Sequence, residues 1–109
     1  MKITLVSNAI AYNLFTLMSA VDPNIGRSCR GLNVYIPGAA EEAANAGASV
    51  DIGQANAGLT DITQPELQPL TEGDNYNYPQ DFKNSLSLTT RWIQGSVNNC
   101  VVTLNPLYA

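Results

Sequence analysis

The stretch RWIQGSVNNCVVTL, residues 91–104, decides how this chain is read. It holds the only tryptophan, Trp92, and one of the two cysteines, Cys100. Its middle carries Gly95-Ser96 and Asn98-Asn99, residues that favour turns. β-Forming residues lie on either side. Residues 86–93 alternate, so Leu86, Leu88, Thr90 and Trp92 share one face. Cys100, Val102 and Leu104 share a face of the run that follows. The stretch therefore predicts a hairpin at the centre of a β-sandwich, with Trp92 and Cys100 turned into the core. Arg91 falls on the face opposite Trp92 and is a candidate for contact with a partner.

Outward from this hairpin, the same punctuation recurs. Residues 3–6 (ITLV) and 49–53 (SVDIG) are short β-like runs. Leu32, Val34 and Ile36 alternate cleanly before Pro37-Gly38 ends their strand. Residues 59–63 are a weaker strand candidate. Pro65 and Pro69 exclude a central strand over 64–70, because each proline removes a ladder donor. Residues 39–48, rich in Ala and Gly, read as a surface loop, and so do residues 76–81. Helical spacing appears over about 9–21, where Ile10, Leu14, Leu17, Met18 and Val21 form a stripe. Ser7-Asn8 supplies an N-cap, and Asp22-Pro23 supplies a stop.

Short strands between Gly, Pro and Asn clusters predict a mainly β fold. The expectation is a β-sandwich or jelly-roll-like domain with one short N-terminal helix and a C-terminal tail at 105–109. A chain of 109 residues suits a single domain over 1–109.

Charged residues make up 13% of the chain, about half the ordinary share, and the net charge is −4. The surface must be largely neutral polar, which is less costly to bury against another protein. Only five basic residues are present. Phosphate contacts dominate nucleic-acid affinity, so this balance argues against a nucleic-acid partner. No apolar run approaches the length of a membrane span. Polar residues interrupt the N-terminal apolar stretch too often for a signal peptide, so it reads as mature sequence. The default for Cys29 and Cys100 is a pair of buried free thiols.

The chain has no histidine. That removes the usual general base and the Ser-His and Cys-His dyads. Glu41-Glu42 and Glu72…Asp74 lie in loop sequence and read first as solvated turns. The oxygens of residues 72–77 lack the spacing and closing glutamate of a calcium loop. No enzyme, metal or cofactor is expected. Apolar residues outside regular elements carry more interest, above all Leu107 and Tyr108 after the strand-ending Pro106. The expected contact elements are the N-terminal segment, with Leu5 and Tyr12, then Arg91, Leu107 and Tyr108.

The N-terminal run LVSNAIAYNLFTLMSAVDPNIGRSCRGLNVYI resembles a type of small tailed-phage virion protein. In that type a short helix, approximately AYNLLTLL, leads through an Asp-containing turn to an Arg-bearing strand. The C-terminal half adds an acidic turn, a loop, a strand reading SLTTRWI, a Gly-Ser turn and a last β run. The likeness covers most of the chain and leaves out the Ala/Gly-rich middle. It implies a capsid decoration (cement) protein: a β-rich homotrimer bound to the major capsid protein on the capsid surface. Assembly in the host cytoplasm is implied as well. Such a protein stabilises the head by binding only its assembled form.

Two other readings compete. A carbohydrate- or receptor-binding sandwich would present Tyr76, Tyr78 or Trp92 on a ligand face. A head–tail joining or tail protein would share this composition and differ in copy number and symmetry.

Overall fold

The computed structural model describes residues 1–78 and 85–108. The fold is mainly β, with several antiparallel sheets and one short helix in a sandwich-like arrangement. The strands are β1 (Lys2–Leu5), β2 (Tyr12–Asn13), β3 (Ser28–Cys29), β4 (Gly31–Tyr35), β5 (Ser49–Ala55), β6 (Ile62–Pro65), β7 (Leu70–Thr71), β8 (Asn75–Tyr78), β9 (Leu86–Ser87), β10 (Trp92–Gly95) and β11 (Cys100–Leu107). Helix α1 is Leu14–Val21.

The first sheet has the order β1-β11-β4-β8. The second has the order β2-β10-β5-β6, with β7 also pairing with β5. Strands β3 and β9 form a separate two-stranded ribbon. Inward side chains of both sheets meet in one cluster: Leu5, Leu32, Val34 and Val102 from the first, Val50, Ile52 and Ile93 from the second. Leu14 and Met18 of α1 join it. The alternation read for Leu32, Val34 and Ile36 is present, all three fully buried.

The expected hairpin over 91–104 is not formed. Strand β10 pairs with β2 and β5 in the second sheet, and β11 pairs with β1 and β4 in the first. The stretch is an arch that carries the chain from one sheet to the other. Its turn is tied on both sides. Ser96 N–H donates to Ser49 O (2.8 Å), and Asn99 N–H donates to Val6 O (3.0 Å). Asn99 adopts φ 59°, a conformation that asparagine tolerates. Gly95 and Cys100 then face each other across the core. A Cβ on Gly95 would lie 2.8 Å from the Cys100 Cβ, so the crossing needs a residue without a side chain.

The run over 86–93 is also not one strand. It breaks after Ser87 and resumes at Trp92. The break resets the alternation, so Ile93 and Gly95 point inward and Trp92 is only half-buried on the outer side. Trp92 therefore does not share the buried face of Leu86 and Leu88.

The helix is shorter than expected and starts later. Tyr12–Asn13 pairs with β10 as β2, which holds these residues extended. Asn13, not Ser7-Asn8, caps the helix: its Oδ1 accepts from Thr16 N–H at 3.1 Å. Residues 76–78 are strand rather than loop, because Tyr76 and Tyr78 pair with Val34 and Leu32 at the sheet edge. The rest of that expected loop, 79–81, lies outside the described residues. Strand β6 lies at the sheet edge and contains Pro65, a position where a missing donor is tolerated.

The expected tail is strand through Leu107. Amides along β11 alternate between its two sides. Leu104 N–H donates to Met1 O (2.8 Å) on the β1 side. Pro106 shares that parity, and β1 has ended by then, so its missing N–H faces no partner strand. The Ala/Gly-rich segment is likewise no free loop. It makes a 3₁₀ turn over Ala43–Asn45, and the Asn45 side chain is fully buried.

Candidate functional site

Two neighbouring loops at one end of the sandwich present exposed apolar side chains. Val6 (62% exposed) and Ile10 (43%) bracket the first loop, and Leu59 (42%) lies in the second. Backbone and side-chain bonds hold the loops together. Ala11 N–H donates to Leu59 O at 2.9 Å. Gln94 Nε2, from β10 beneath, donates to Asn8 O (3.0 Å) and Thr60 O (2.8 Å).

Leu59 has φ 55°. A bulky residue in this left-handed region costs on the order of 1–2 kcal/mol. The cause is local. Asn56 Oδ1 accepts from Thr60 N–H (2.9 Å), and Asn56 Nδ2 donates to Thr60 Oγ1 (2.8 Å). Leu59 N–H donates back to Asn56 O (3.0 Å). This clamp curls residues 56–60 and turns the leucine outward. Strained backbone clusters at functional sites, and here it presents an apolar side chain to solvent.

The expected contact residues divide. Leu107 (40%) and Tyr108 (57%) are exposed. Tyr108 folds back on its own chain, where its hydroxyl accepts from Gly26 N–H at 3.2 Å. Tyr12 is half-buried, and its hydroxyl accepts from Ser7 N–H at 3.0 Å. Leu5, expected as a contact residue, is not at the surface. It points inward from β1, is fully buried, and reaches no surface.

Arg91 is held inside its own chain. Its Nε lies 3.1 Å from Glu66 Oε1, and its guanidinium donates to Ser87 O at 3.0 Å. Tyr78 hydroxyl donates to the same Glu66 carboxylate at 2.5 Å. Burial first, then the bond to Glu66, pushes the Tyr78 phenol up. This clamp joins the end of β6 to β8 and β9. A groove of about 450 Å³ opens beside it, lined by residues 66–70 and 74–76.

The loop carboxylates, read as solvated turns, tie loops down. Glu72 accepts from Ala39 N–H (2.7 Å) and Gly47 N–H (3.1 Å). Glu41 accepts from Tyr35 hydroxyl (2.6 Å), and Glu42 pairs with Lys2. Asp74 accepts from Thr71 N–H at 2.8 Å and closes its own turn. The three aromatics considered as sugar platforms do not converge. Trp92 is on the second sheet, and Tyr76 and Tyr78 are on the first, with Tyr78 buried. Cys29 and Cys100 are buried free thiols, and burial pushes both up.

Sequence reasoning put Val6 in a β-like run, Ile10 in the helix stripe and Leu59 in a weak strand, and named none of them as a contact residue; Ile10 precedes the helix and is exposed. The available signal was an apolar residue set inside turn chemistry, as in ANAGLTD over 55–61. Which loops meet is a tertiary fact.

Comparison with family models, with curated proteins and with solved structures returned no match. Among the described residues no helix is long and apolar enough to cross a membrane.

Proposed function

We propose that this chain is a virion structural protein of the capsid-decoration type, docking on the major capsid protein through the loop end that carries Val6, Ile10 and Leu59. The observation that carries the reading is Leu59, an exposed leucine clamped at φ 55° on a loop that accepts a backbone bond from the neighbouring loop, which carries the exposed Val6 and Ile10. Apolar side chains of this kind gain free energy when a partner removes them from water. The sparse charge of the chain keeps the accompanying desolvation cost low. The sequence likeness to small tailed-phage virion proteins supplies the class of partner. Self-association as a trimer on the capsid surface, after assembly in the host cytoplasm, belongs to the same proposal.

Imaging of purified particles of the phage that encodes the chain tests the reading. The expected result is density at symmetry-related capsomer positions, with a copy number in proportion to the major capsid protein. Absence from the particle, or a few copies at the tail vertex, overturns it. The second outcome assigns the chain to the head–tail junction.

A further inference from the structure

The outer face of the first sheet carries a row of asparagines that the proposed docking does not use. Asn105, Asn33 and Asn77 are register partners on three adjacent strands, β11, β4 and β8. Residues opposite one another in a ladder point to the same face, so their carboxamides form one line across the sheet. Asn33 Nδ2 donates to Asn77 Oδ1 (2.9 Å) and to Asn75 Oδ1 (2.7 Å), which fixes the orientation of all three amides. Among the described residues, the Nδ2 groups of Asn75, Asn77 and Asn105 have no protein acceptor, and those three residues are exposed. In the adjoining row Tyr35 pairs with Thr103 on one side and Asn75 on the other. Its hydroxyl is held by Glu41, which fixes the phenol at the edge of the amide row.

This face is largely neutral donors and acceptors with one aromatic ring; the Met1 ammonium donates to Asn105 Oδ1 at 2.8 Å, and Lys2 stands in the row of Tyr35 and Thr103. Its bordering charges are occupied: Lys2 with Glu42, and Glu41 with Tyr35. A polyhydroxyl ligand finds fixed Nδ2 donors for its oxygens. Neighbouring strands lie about 4.8 Å apart, so the amides repeat at that interval. One sugar ring of an extended glycan advances by a similar length. We propose that the outer face of the first sheet is a binding site for an extended neutral glycan, lying across the strands along Asn105, Asn33 and Asn77 and flanked by Tyr35. A decoration protein with such a face presents a glycan-binding surface to the exterior while its loop end holds the capsid. The glycan proposal does not depend on that docking.

The test is an NMR titration of the isotopically labelled full chain with cello-, chito-, malto- and manno-oligosaccharides in turn. The expected result is that at least one series shifts the amide resonances of Asn33, Tyr35, Asn77 and Asn105, leaving those of Val6, Ile10 and Leu59 in place. Asn77→Ala and Asn105→Ala change exposed residues and keep the spectrum of a folded chain. Each is expected to weaken the bound sugar about tenfold, the loss of one or two good hydrogen bonds. No response to any of the four series overturns the proposal. Shifts centred on Trp92, or binding unchanged by both substitutions, overturn it as well. Shifts of this face that follow protein concentration without sugar make it a self-association surface, which is also a refutation. Because capsid docking uses other residues, particles that retain the Asn77→Ala chain separate failure here from failure of the decoration reading.

Discussion

Asn45 fills a ladder position beside Val101 that Pro37 cannot fill. Its Oδ1 accepts from Val101 N–H (2.8 Å), and its Nδ2 donates to Val101 O (2.9 Å) and Pro37 O (2.7 Å). The register of β4 and β11 ends at Tyr35 opposite Thr103, and two residues further on it would set Pro37 against Val101. Proline has no N–H to give. The buried carboxamide supplies the missing donor and acceptor, so the central strand keeps its backbone groups satisfied.

Replacing Asn45 by alanine leaves Val101 N–H, Val101 O and Pro37 O buried without that partner. The expected loss of stability is about 2–4 kcal/mol, read as a shift in the urea midpoint. Asn45→Asp is expected to be at least as damaging, because it removes both donated bonds and buries a carboxylate. A loss under about 0.5 kcal/mol for both variants would count against this role.

Gly95→Ala places a methyl group 2.8 Å from the Cys100 Cβ. Overpacking of this kind costs about 1–3 kcal/mol. The two positions should couple. In a double-mutant cycle with Cys100→Gly, the penalty of the alanine is expected to shrink by about 1 kcal/mol. Strict additivity would mean that the two strands do not meet at the arch.

Leu59 separates stability from docking. Leu59→Gly relieves the left-handed strain at the cost of a more flexible unfolded chain. Its melting temperature should therefore stay near that of the natural chain, a change within about 1 kcal/mol. Retention on capsids should fall at least tenfold if the leucine is an apolar anchor. Pelleting of expanded heads with each variant measures this directly.

Stability is expected to fall in alkali. Burial raises Cys29, Cys100 and Tyr78 in the folded chain. The folded state then holds protons that the unfolded state releases, so stability declines with rising pH. The decline begins near about pH 8.5, where unfolded thiols titrate, and continues past about pH 10 with tyrosine. Asp51 is also raised, by burial. Its contribution is fully present below about pH 3.9 and is lost as the pH rises through the folded value. Asp51→Asn should accordingly be more stable than the natural chain at pH 7 and no more stable at pH 3. Urea midpoints across pH check both limbs.

Trp92 should behave as a half-solvated indole, with red-shifted emission that acrylamide quenches. Trp92→Ala should cost less than the 3–5 kcal/mol, roughly, of a core tryptophan. Blue-shifted emission resistant to quenching would return Trp92 to the core.

Much of this was legible in residues 1–109. Alternation at Leu32, Val34 and Ile36 is a local property of a half-buried strand, and it marked the core face correctly. Proline at 65 marked an edge, because a missing donor has a local consequence. The mainly β class followed from the density of such signals. Local pattern could not say which strand each run would pair with. Residues 91–104 have the composition of a hairpin, yet turn-forming residues specify only that the chain reverses, not that the flanking strands become neighbours. That choice belongs to the core, where Ile93 is paired to Ile52 and Val102 to Ile3. The same limit hid the loop end proposed for docking and the asparagine row. Ala11 and Leu59, or Asn105, Asn33 and Asn77, are far apart in sequence, and only the packing of the chain and the register within one sheet bring them together. The sequence by itself determined the mainly β class and the inward face of runs such as 32–36, through side-chain period and backbone chemistry. The tertiary structure decided partners, and with them every surface on which a function is proposed.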